Sequence, residues 1–270
     1  MSPSEPTGYE RAVSYSSYLR LDDLLALQRP RSEGVEHDEM LFIVIHQTYE
    51  LWFKTILHEL ARGQHTLAAG DVHASLATLG RVRTILKVLV AQVDILETMT
   101  PLQFLTFRDR LDASSGFQSA QFREVEAVLG RRDAAMTSRL APGGADRARV
   151  EDALARPALW DSVLALLAAR GHPVPDAVLH RDVRAQYEPS EAVQVAVERA
   201  YRGDPEVALL LERLVDVDEG LQEWRYRHVK MVERTIGTKR GTGGSSGTEY
   251  LAGTLFRPVF PDLWAVRTRF

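Results

Sequence analysis

The sequence predicts an all-α, single-domain helical bundle, and three observations support that fold class. Apolar residues recur every three or four positions over long segments, which is the period of an amphipathic helix. No segment alternates apolar and polar residues over the length of a strand. The 270 residues are 45% hydrophobic and 26% charged, so one domain over residues 1–270 can bury a substantial core and a pocket for a large apolar ligand.

The first half of the chain predicts two long helices and a short one. The first long helix covers Asp38 to Leu67, and the second carries an apolar stripe over residues 76–96. Thr100 followed by Pro101 predicts an N-cap and a first-turn proline, which open a short helix through Leu111.

The second half predicts a further helix over Gln118–Leu129, stopped by Gly130. Residues 131–185 are rich in Ala, Arg, Gly and Pro and predict short helices near Arg149–Leu154 and Leu159–Ala169, joined by loops.

A final long helix is expected from Glu206 to Ile236. It precedes the glycine-rich GTGGSSG at Gly241–Gly247 and a short helix through Tyr250 and Leu255. At the other end of the chain, residues 1–20 have little to bury and predict an N-terminal arm that docks elsewhere.

Charge and cysteine content exclude several function classes. The net charge of −4 gives no reason to expect nucleic acid or an anionic membrane as a partner. The absence of cysteine excludes disulfides, thiolate nucleophiles, Cys-zinc sites and covalent haem attachment. No signal peptide and no membrane-spanning run are visible, so we expect a cytoplasmic protein.

Two histidines on apolar helix faces are candidate functional residues. His228 lies among the apolar residues of the last long helix, and His46 follows five apolar residues in LFIVIHQ. Such histidines are more often hydrogen-bonded core residues than ligands. A neutral imidazole is nevertheless a common haem ligand, and without cysteine His228 is the leading axial candidate. A pocket lined by Phe42 and His46 would suit a flat aromatic molecule with one polar N–H.

Arg108 and the glycine-rich loop are weaker candidates. Most arginines are surface residues, but Arg108 has Phe104 and Phe107 close by, and a guanidinium in such surroundings suits a planar carboxylate. The loop lacks the spacing of a phosphate-binding fingerprint. It is either a linker or a mobile loop that closes over a ligand, with Thr242 supplying a hydroxyl.

Five segments, spread over nearly the whole chain, occur in an order and spacing that are specific when taken together. They are YSSYLRLDDLL at Tyr15–Leu25, HDEMLFIVIHQTYELWFK at His37–Lys54, FRDRLDASSGFQSAQFR at Phe107–Arg123, WRYRHVKMVERTIGTKRGTGGSSG at Trp224–Gly247 and FPDLWAVRT at Phe260–Thr268. In this order the segments resemble the tryptophan 2,3-dioxygenase family.

The resemblance implies an all-α homotetramer that carries b-type haem in its ferrous form and uses O2 as co-substrate. The reaction that it implies inserts both oxygen atoms across the indole C2–C3 bond of L-tryptophan. The product is N-formylkynurenine, in the kynurenine pathway of tryptophan catabolism.

The resemblance also assigns roles to individual residues. His228 would be the axial ligand to the haem iron, and His46 would accept the indole N–H. Phe42 would pack against the indole ring, Arg108 would hold the substrate carboxylate, and Thr242 would contact the carboxylate and ammonium groups.

Four further positions match the family by resemblance. Ser115 would lie beside the distal pocket, and Tyr15 and Tyr18 would be lent to the site of a neighbouring subunit. Phe104 occupies a position that some members fill with tyrosine, so this chain offers one hydroxyl fewer to the substrate carboxylate.

Two alternatives stay open from the sequence. A relative on the same scaffold could insert a single oxygen atom into tryptophan or β-methyltryptophan, giving an oxindole in secondary metabolism. A haem-based sensor without turnover is the third hypothesis, although a sensor has no need for an arginine that grips an amino acid.

Overall fold

The structure is a computed structural model, and it describes residues 13–34, 36–111, 118–138, 140–237, 239 and 252–270. The described residues form helices and connecting turns, and none of them lies in a β-strand. The helices are α1 Tyr15–Leu19, α2 Leu21–Leu25, α3 His37–Ala68, α4 Val72–Leu96, α5 Pro101–Arg108, α6 Ala120–Leu129, α7 Ala145–Leu154, α8 Leu159–Ala169, α9 Asp176–Leu179, α10 Glu191–Gly203, α11 Pro205–Ile236 and α12 Pro261–Ala265. Short 3-10 turns cover Asp109–Leu111, Ala134–Thr137 and Val266–Arg269.

Three long helices form the centre of the fold, with α4 packed against both α3 and α11. Helices α3 and α11 have 32 residues each, which corresponds to about 48 Å at 1.5 Å per residue. The apolar stripes of the three helices meet in one core, whose fully buried members include Leu60, Leu79 and Leu214. Gly220 permits a close approach of α11 to α4, because a Cβ there would lie 3.4 Å from Leu86.

The helix ends are set by the residues that the sequence predicts. Thr100 caps α5 reciprocally with Gln103, and Pro101 occupies the first turn. Gly130 ends α6 with a φ of 131°, a backbone conformation that L side chains rarely adopt. These boundaries confirm the predicted α5 and the predicted stop of α6.

Helix α5 bridges the two longest helices near the region of the candidate residues. It packs against α3 on one side and against α11 on the other. Its buried aromatic residues, Phe104 and Phe107, share a core cluster with Ile45 of α3, and Met231 of α11 packs against that cluster. The fold therefore brings α3, α5 and α11 together at one place.

Two buried carboxylates hold the last segment, one to α11 and one to residues at and before α10. Asp218 of α11 accepts hydrogen bonds from the backbone N–H groups of Val259 and Phe260 and from the indole N–H of Trp264, at 3.0, 3.1 and 3.0 Å. Asp262 accepts hydrogen bonds from the Tyr187 hydroxyl and from other donors around α10. The motif FPDLW is thus a structural anchor.

The observed fold confirms the all-α class and contains helices that the sequence analysis did not predict. The N-terminal arm contains α1, and α2 follows the arm. Helix α10 was not predicted, although Val193, Ala196, Val197 and Ala200 have helical spacing and are fully buried. Their small side chains give a weak apolar signal. The predicted helix at Tyr250 lies outside the described residues, and Leu255 lies in a turn.

Candidate active site

An aromatic cluster forms where α3 meets α5. Phe42 and His46 lie one turn apart on α3, and their ring centroids are 4.1 Å apart. Phe42 lies 5.8 Å from Phe104 and 5.6 Å from Phe107, and the two α5 rings are 5.5 Å apart and nearly perpendicular. Three predicted site residues, Phe42, His46 and Phe104, are therefore brought together.

The hydrogen bonding of His46 defines which of its nitrogens is free to accept. Its Nδ1 lies 2.7 Å from the carbonyl oxygen of Phe42, one turn earlier on the same helix. Since a carbonyl oxygen can only accept, Nδ1 must carry the proton. In a neutral ring this leaves Nε2 with a lone pair and makes it a hydrogen-bond acceptor.

His46 is held in the neutral form by its surroundings. Burial lowers the pKa of His46 below the usual histidine value and outweighs the opposing effects of the Phe42 carbonyl and of Glu50. At neutral pH the side chain is therefore an uncharged imidazole with one acceptor nitrogen.

His228 lies on α11, and its ring stacks on Trp224 one turn earlier. The two ring centroids are 5.2 Å apart and the planes differ by 7°. Trp224 is fixed in turn by Phe122, whose ring centroid is 4.8 Å away, and by Phe53 and Tyr49. The imidazole therefore has a defined orientation.

His228 strongly favours the neutral form of its imidazole. Burial lowers the pKa of His228 to about 4, and the positive charge of Arg123 adds to the effect. No hydrogen bond joins either ring nitrogen of His228 to the part of the chain that the structure describes. The residue nevertheless keeps an intermediate accessible surface, so its side chain is not fully enclosed by the described residues.

These properties fit an axial ligand of haem iron. A metal-ligating histidine must be neutral, must have a free ring nitrogen and must be held in a fixed direction. His228 meets the first requirement through burial, the second through its lack of a described hydrogen-bond partner, and the third through stacking on Trp224. Helix α5 packs against both α3, which carries His46, and α11, which carries His228.

Arg108 is the last residue of α5 and is partly buried. The same short helix carries Phe104 and Phe107, so the capping box at its start positions the aromatic rings and the guanidinium together. The predicted role of Arg108 toward a substrate carboxylate stays a prediction.

The remaining predicted residues are not brought to the site within one chain. Tyr15 and Tyr18 lie on α1 and are 76% and 77% exposed, and no residue of α1 or α2 is buried. Ser115 and Thr242 lie outside the described residues. Their roles stay predictions.

A buried charge cluster beside α11 was missed by sequence reasoning. Glu126 of α6 is almost fully buried, and its carboxylate is contacted by Arg123 at 2.5 Å, by Arg131 at 3.0 Å and by Arg225 at 2.7 Å. Burial alone would raise the pKa of Glu126, but the three arginines together lower it below its usual range. Arg225 lies 99 residues from Glu126, and no local pattern marks the pair.

The described residues contain neither a cluster of metal-binding side chains nor a membrane-spanning helix. No group of three or more His, Asp or Glu side chains there could hold a metal ion. None of the described helices combines the length and apolar character needed to span a lipid bilayer.

Comparison with known proteins gives matches over nearly the whole chain. A family model described as tryptophan 2,3-dioxygenase matches residues 5–140 and 155–270. A protein named tryptophan 2,3-dioxygenase from Anaeromyxobacter sp. strain K is 59% identical over 98% of each chain. Proteins of the same name from Herpetosiphon aurantiacus and Caulobacter vibrioides are 54% and 48% identical, each over 95% of this chain and 98% of the relative.

Proposed function

The chain belongs to the tryptophan 2,3-dioxygenase family, and from this premise we propose that it oxidises L-tryptophan with O2 to N-formylkynurenine at a haem held by His228. The observation that carries the proposal is that α3 and α11 each hold a neutral imidazole and that α5 packs against both helices. His228 is free to bind a metal, and His46 is free to accept one hydrogen bond.

Haem b would be held from one side by His228, and in its ferrous form it would supply O2 binding and activation. The chain itself contributes a ligand of fixed direction, because Trp224 stacks on the imidazole and Phe122 and Phe53 hold Trp224. The low pKa of His228 keeps the ligand nitrogen unprotonated throughout the neutral range.

His46 would accept the indole N–H of the substrate through Nε2. The hydrogen bond between Nδ1 and the Phe42 carbonyl fixes both the tautomer and the orientation of the ring. An indole contains one N–H and no acceptor, so a single lone pair determines which edge of the ring faces the oxygen. Phe42 would pack against the indole, since its ring lies 4.1 Å from that of His46.

Arg108 would bind the substrate carboxylate with two parallel hydrogen bonds. Phe104 would complete the apolar wall beside it, without the hydroxyl that some family members supply at this position. By the family resemblance we further propose that Ser115 lies beside the distal pocket and that Thr242 contacts the carboxylate and ammonium groups.

We propose that the active protein is a homotetramer whose arms complete neighbouring sites. The support is that Tyr15 and Tyr18 are exposed on α1 although tyrosine is commonly buried or at interfaces. The connection between α2 and α3 is fixed to α3, because Glu39 accepts hydrogen bonds from the backbone N–H groups of Arg31 and Ser32 at 2.7 and 3.2 Å. A cytoplasmic location stays a prediction from the sequence.

The product mass tests the proposed reaction. Haem-loaded protein, given L-tryptophan in air, should form a product heavier than the substrate by two oxygen atoms. A product heavier by one oxygen atom would support the oxindole-forming alternative, and no turnover would support the sensor. The ligand assignment has a separate test, because His228→Ala should purify with little haem and full haem retention would refute it.

A further inference from the structure

The Glu126 cluster, defined here as Glu126 with Arg123, Arg131 and Arg225, lies against the helix that carries the proposed iron ligand. Arg225 is three residues before His228 on α11, so the two side chains are one turn apart and about 60° apart around the helix axis. Trp224, on the other side of that turn, already stacks on His228. The residues four and three positions before His228 thus have different contacts: Trp224 makes an apolar contact and Arg225 an ionic one.

Arg225 joins three parts of the fold. Its guanidinium donates to Glu126 Oε1 of α6 at 2.7 Å and to the backbone carbonyl of Arg257 at 3.5 Å. Both Arg225 and Glu126 are buried, with relative exposures of 5% and 1%. Arg225 thereby links α11 to α6 and to the segment that precedes α12.

A directional contact is needed here because apolar packing is not directional. A side-chain tip lies about 6 Å from the axis of an α-helix, so a rotation of about 10° moves it by about 1 Å. A functional site must be held to within about 0.5 Å. The aromatic contacts of Trp224 resist displacement of α11, but they do not define its rotation as sharply as a charge-assisted hydrogen bond does.

We propose that Arg225 is a positioning residue for His228: its ion pair with Glu126 sets the rotation of α11 and hence the direction of the imidazole toward the iron. The inference rests on the proposed role of His228 as the haem ligand. Burying such a pair gains little net stability, and its retention in a core is best explained by the unique arrangement that it imposes. The positive charge of Arg123, which also contacts Glu126, acts on His228 from the same cluster.

The test compares Arg225→Met with a matched control in the haem-loaded protein. The methionine variant leaves Glu126 paired with Arg123 and Arg131, so no buried carboxylate is left without a partner. The control is Arg181→Met, which removes a partly buried ion pair to Asp161 of α8, at 2.8 Å, in a part of the described structure where α8 packs against α3, α6, α9 and α10. Both variants should lower the melting temperature.

Two haem readouts separate positioning from stability. The resonance Raman band of the bond between ferrous iron and histidine should shift in Arg225→Met and stay at the wild-type frequency in Arg181→Met. Transfer of haem to excess apomyoglobin should be about tenfold faster or more in Arg225→Met, as for other residues that orient a metal ligand. Arg225→Lys, which keeps the charge and can still reach Glu126, should restore most of the wild-type rate.

Several outcomes would overturn the proposal. A wild-type Raman band and transfer rate in Arg225→Met would do so, as would equal haem loss in Arg181→Met. If Arg225→Met does not fold, Glu126→Gln must show the shifted band, and a wild-type band in that variant refutes the positioning role. A wild-type protein without histidine-ligated haem would instead refute the proposed function, so the two failures are distinguishable.

Discussion

Replacing His46 with alanine should weaken the reaction of L-tryptophan by an amount that can be worked from its hydrogen bonding. Because Nδ1 is bonded to the Phe42 carbonyl, Nε2 is the nitrogen left to accept the indole N–H. Without that acceptor, the N–H is buried and unpaired, at a cost of about 1–3 kcal/mol. The expected loss in kcat/KM is about 5-fold to about 150-fold.

A substrate without the N–H separates this hydrogen bond from packing. His46→Ala also removes ring contact with Phe42, which lies 4.1 Å away, and that loss affects every substrate. The benzothiophene analogue of tryptophan has a similar shape and carries sulfur in place of N–H. The wild type should therefore discriminate strongly between the two compounds, and His46→Ala should discriminate weakly.

The assay is kcat/KM for both compounds with both proteins, or the equilibrium Kd if the analogue turns over too slowly. Differences in intrinsic reactivity cancel, since only the change in the ratio between compounds is interpreted. His180→Ala is the matched control, because exposed His180 has the same bond from Nδ1 to a carbonyl four residues earlier, at 2.9 Å. An unchanged ratio in His46→Ala would refute the assignment of Nε2 as the N–H acceptor.

Three further predictions concern the ligand, the arm and the anchor of the last segment. In the haem-free protein, the contribution of His228 to the free energy of unfolding should fall by about 3 kcal/mol between pH 6.5 and pH 4. The pKa of His228 is about 4 in the folded chain and 6.5 in the unfolded chain, so acid protonates the unfolded chain first and favours it. Urea titrations at several pH values should show this loss, and His228→Phe should reduce it. The double variant with Tyr15→Ala and Tyr18→Ala should reduce turnover without changing the melting temperature. Mixed tetramers of that variant with His228→Ala should regain activity, and no recovery would count against the sharing of tyrosines between subunits. Asp218→Ala should cost about 2 kcal/mol in urea denaturation, because it removes an acceptor shared by three N–H donors, of which the Phe260 amide is buried, and a cost below about 1 kcal/mol would contradict that role.

Local sequence patterns predicted the parts of the fold that depend on local causes. The periodic apolar stripe of α4, the Thr100–Pro101 start of α5 and the glycine that stops α6 all act within one or two turns. The same holds for Phe42 and His46, whose contact follows from their spacing of four on one helix. Such features can be derived without knowledge of the tertiary structure.

The Glu126 cluster could not be predicted in this way. Arg123 and Glu126 have the spacing of an ordinary exposed helical ion pair, and Arg225 lies in WRYRHVK, where arginines resemble the polar face of a long helix. Only the packing of α6 and α11 against α3 and the C-terminal segment buries these charges together. The spacing of arginines in the sequence does not distinguish a buried arginine from an exposed one. The cluster therefore follows from the tertiary fold.

The two histidines differ in the contacts made by the residue four positions before each of them. At His46, the carbonyl oxygen of Phe42 accepts a hydrogen bond from Nδ1, so Nε2 is left as the acceptor nitrogen of the neutral ring. At His228, the ring of Trp224 stacks on the imidazole and fixes the plane of the ring. A carbonyl partner at Nδ1 is also common in metal-binding histidines, so these contacts alone do not decide which histidine binds iron. Under the proposed function, His228 would bind the iron and His46 would accept the substrate N–H.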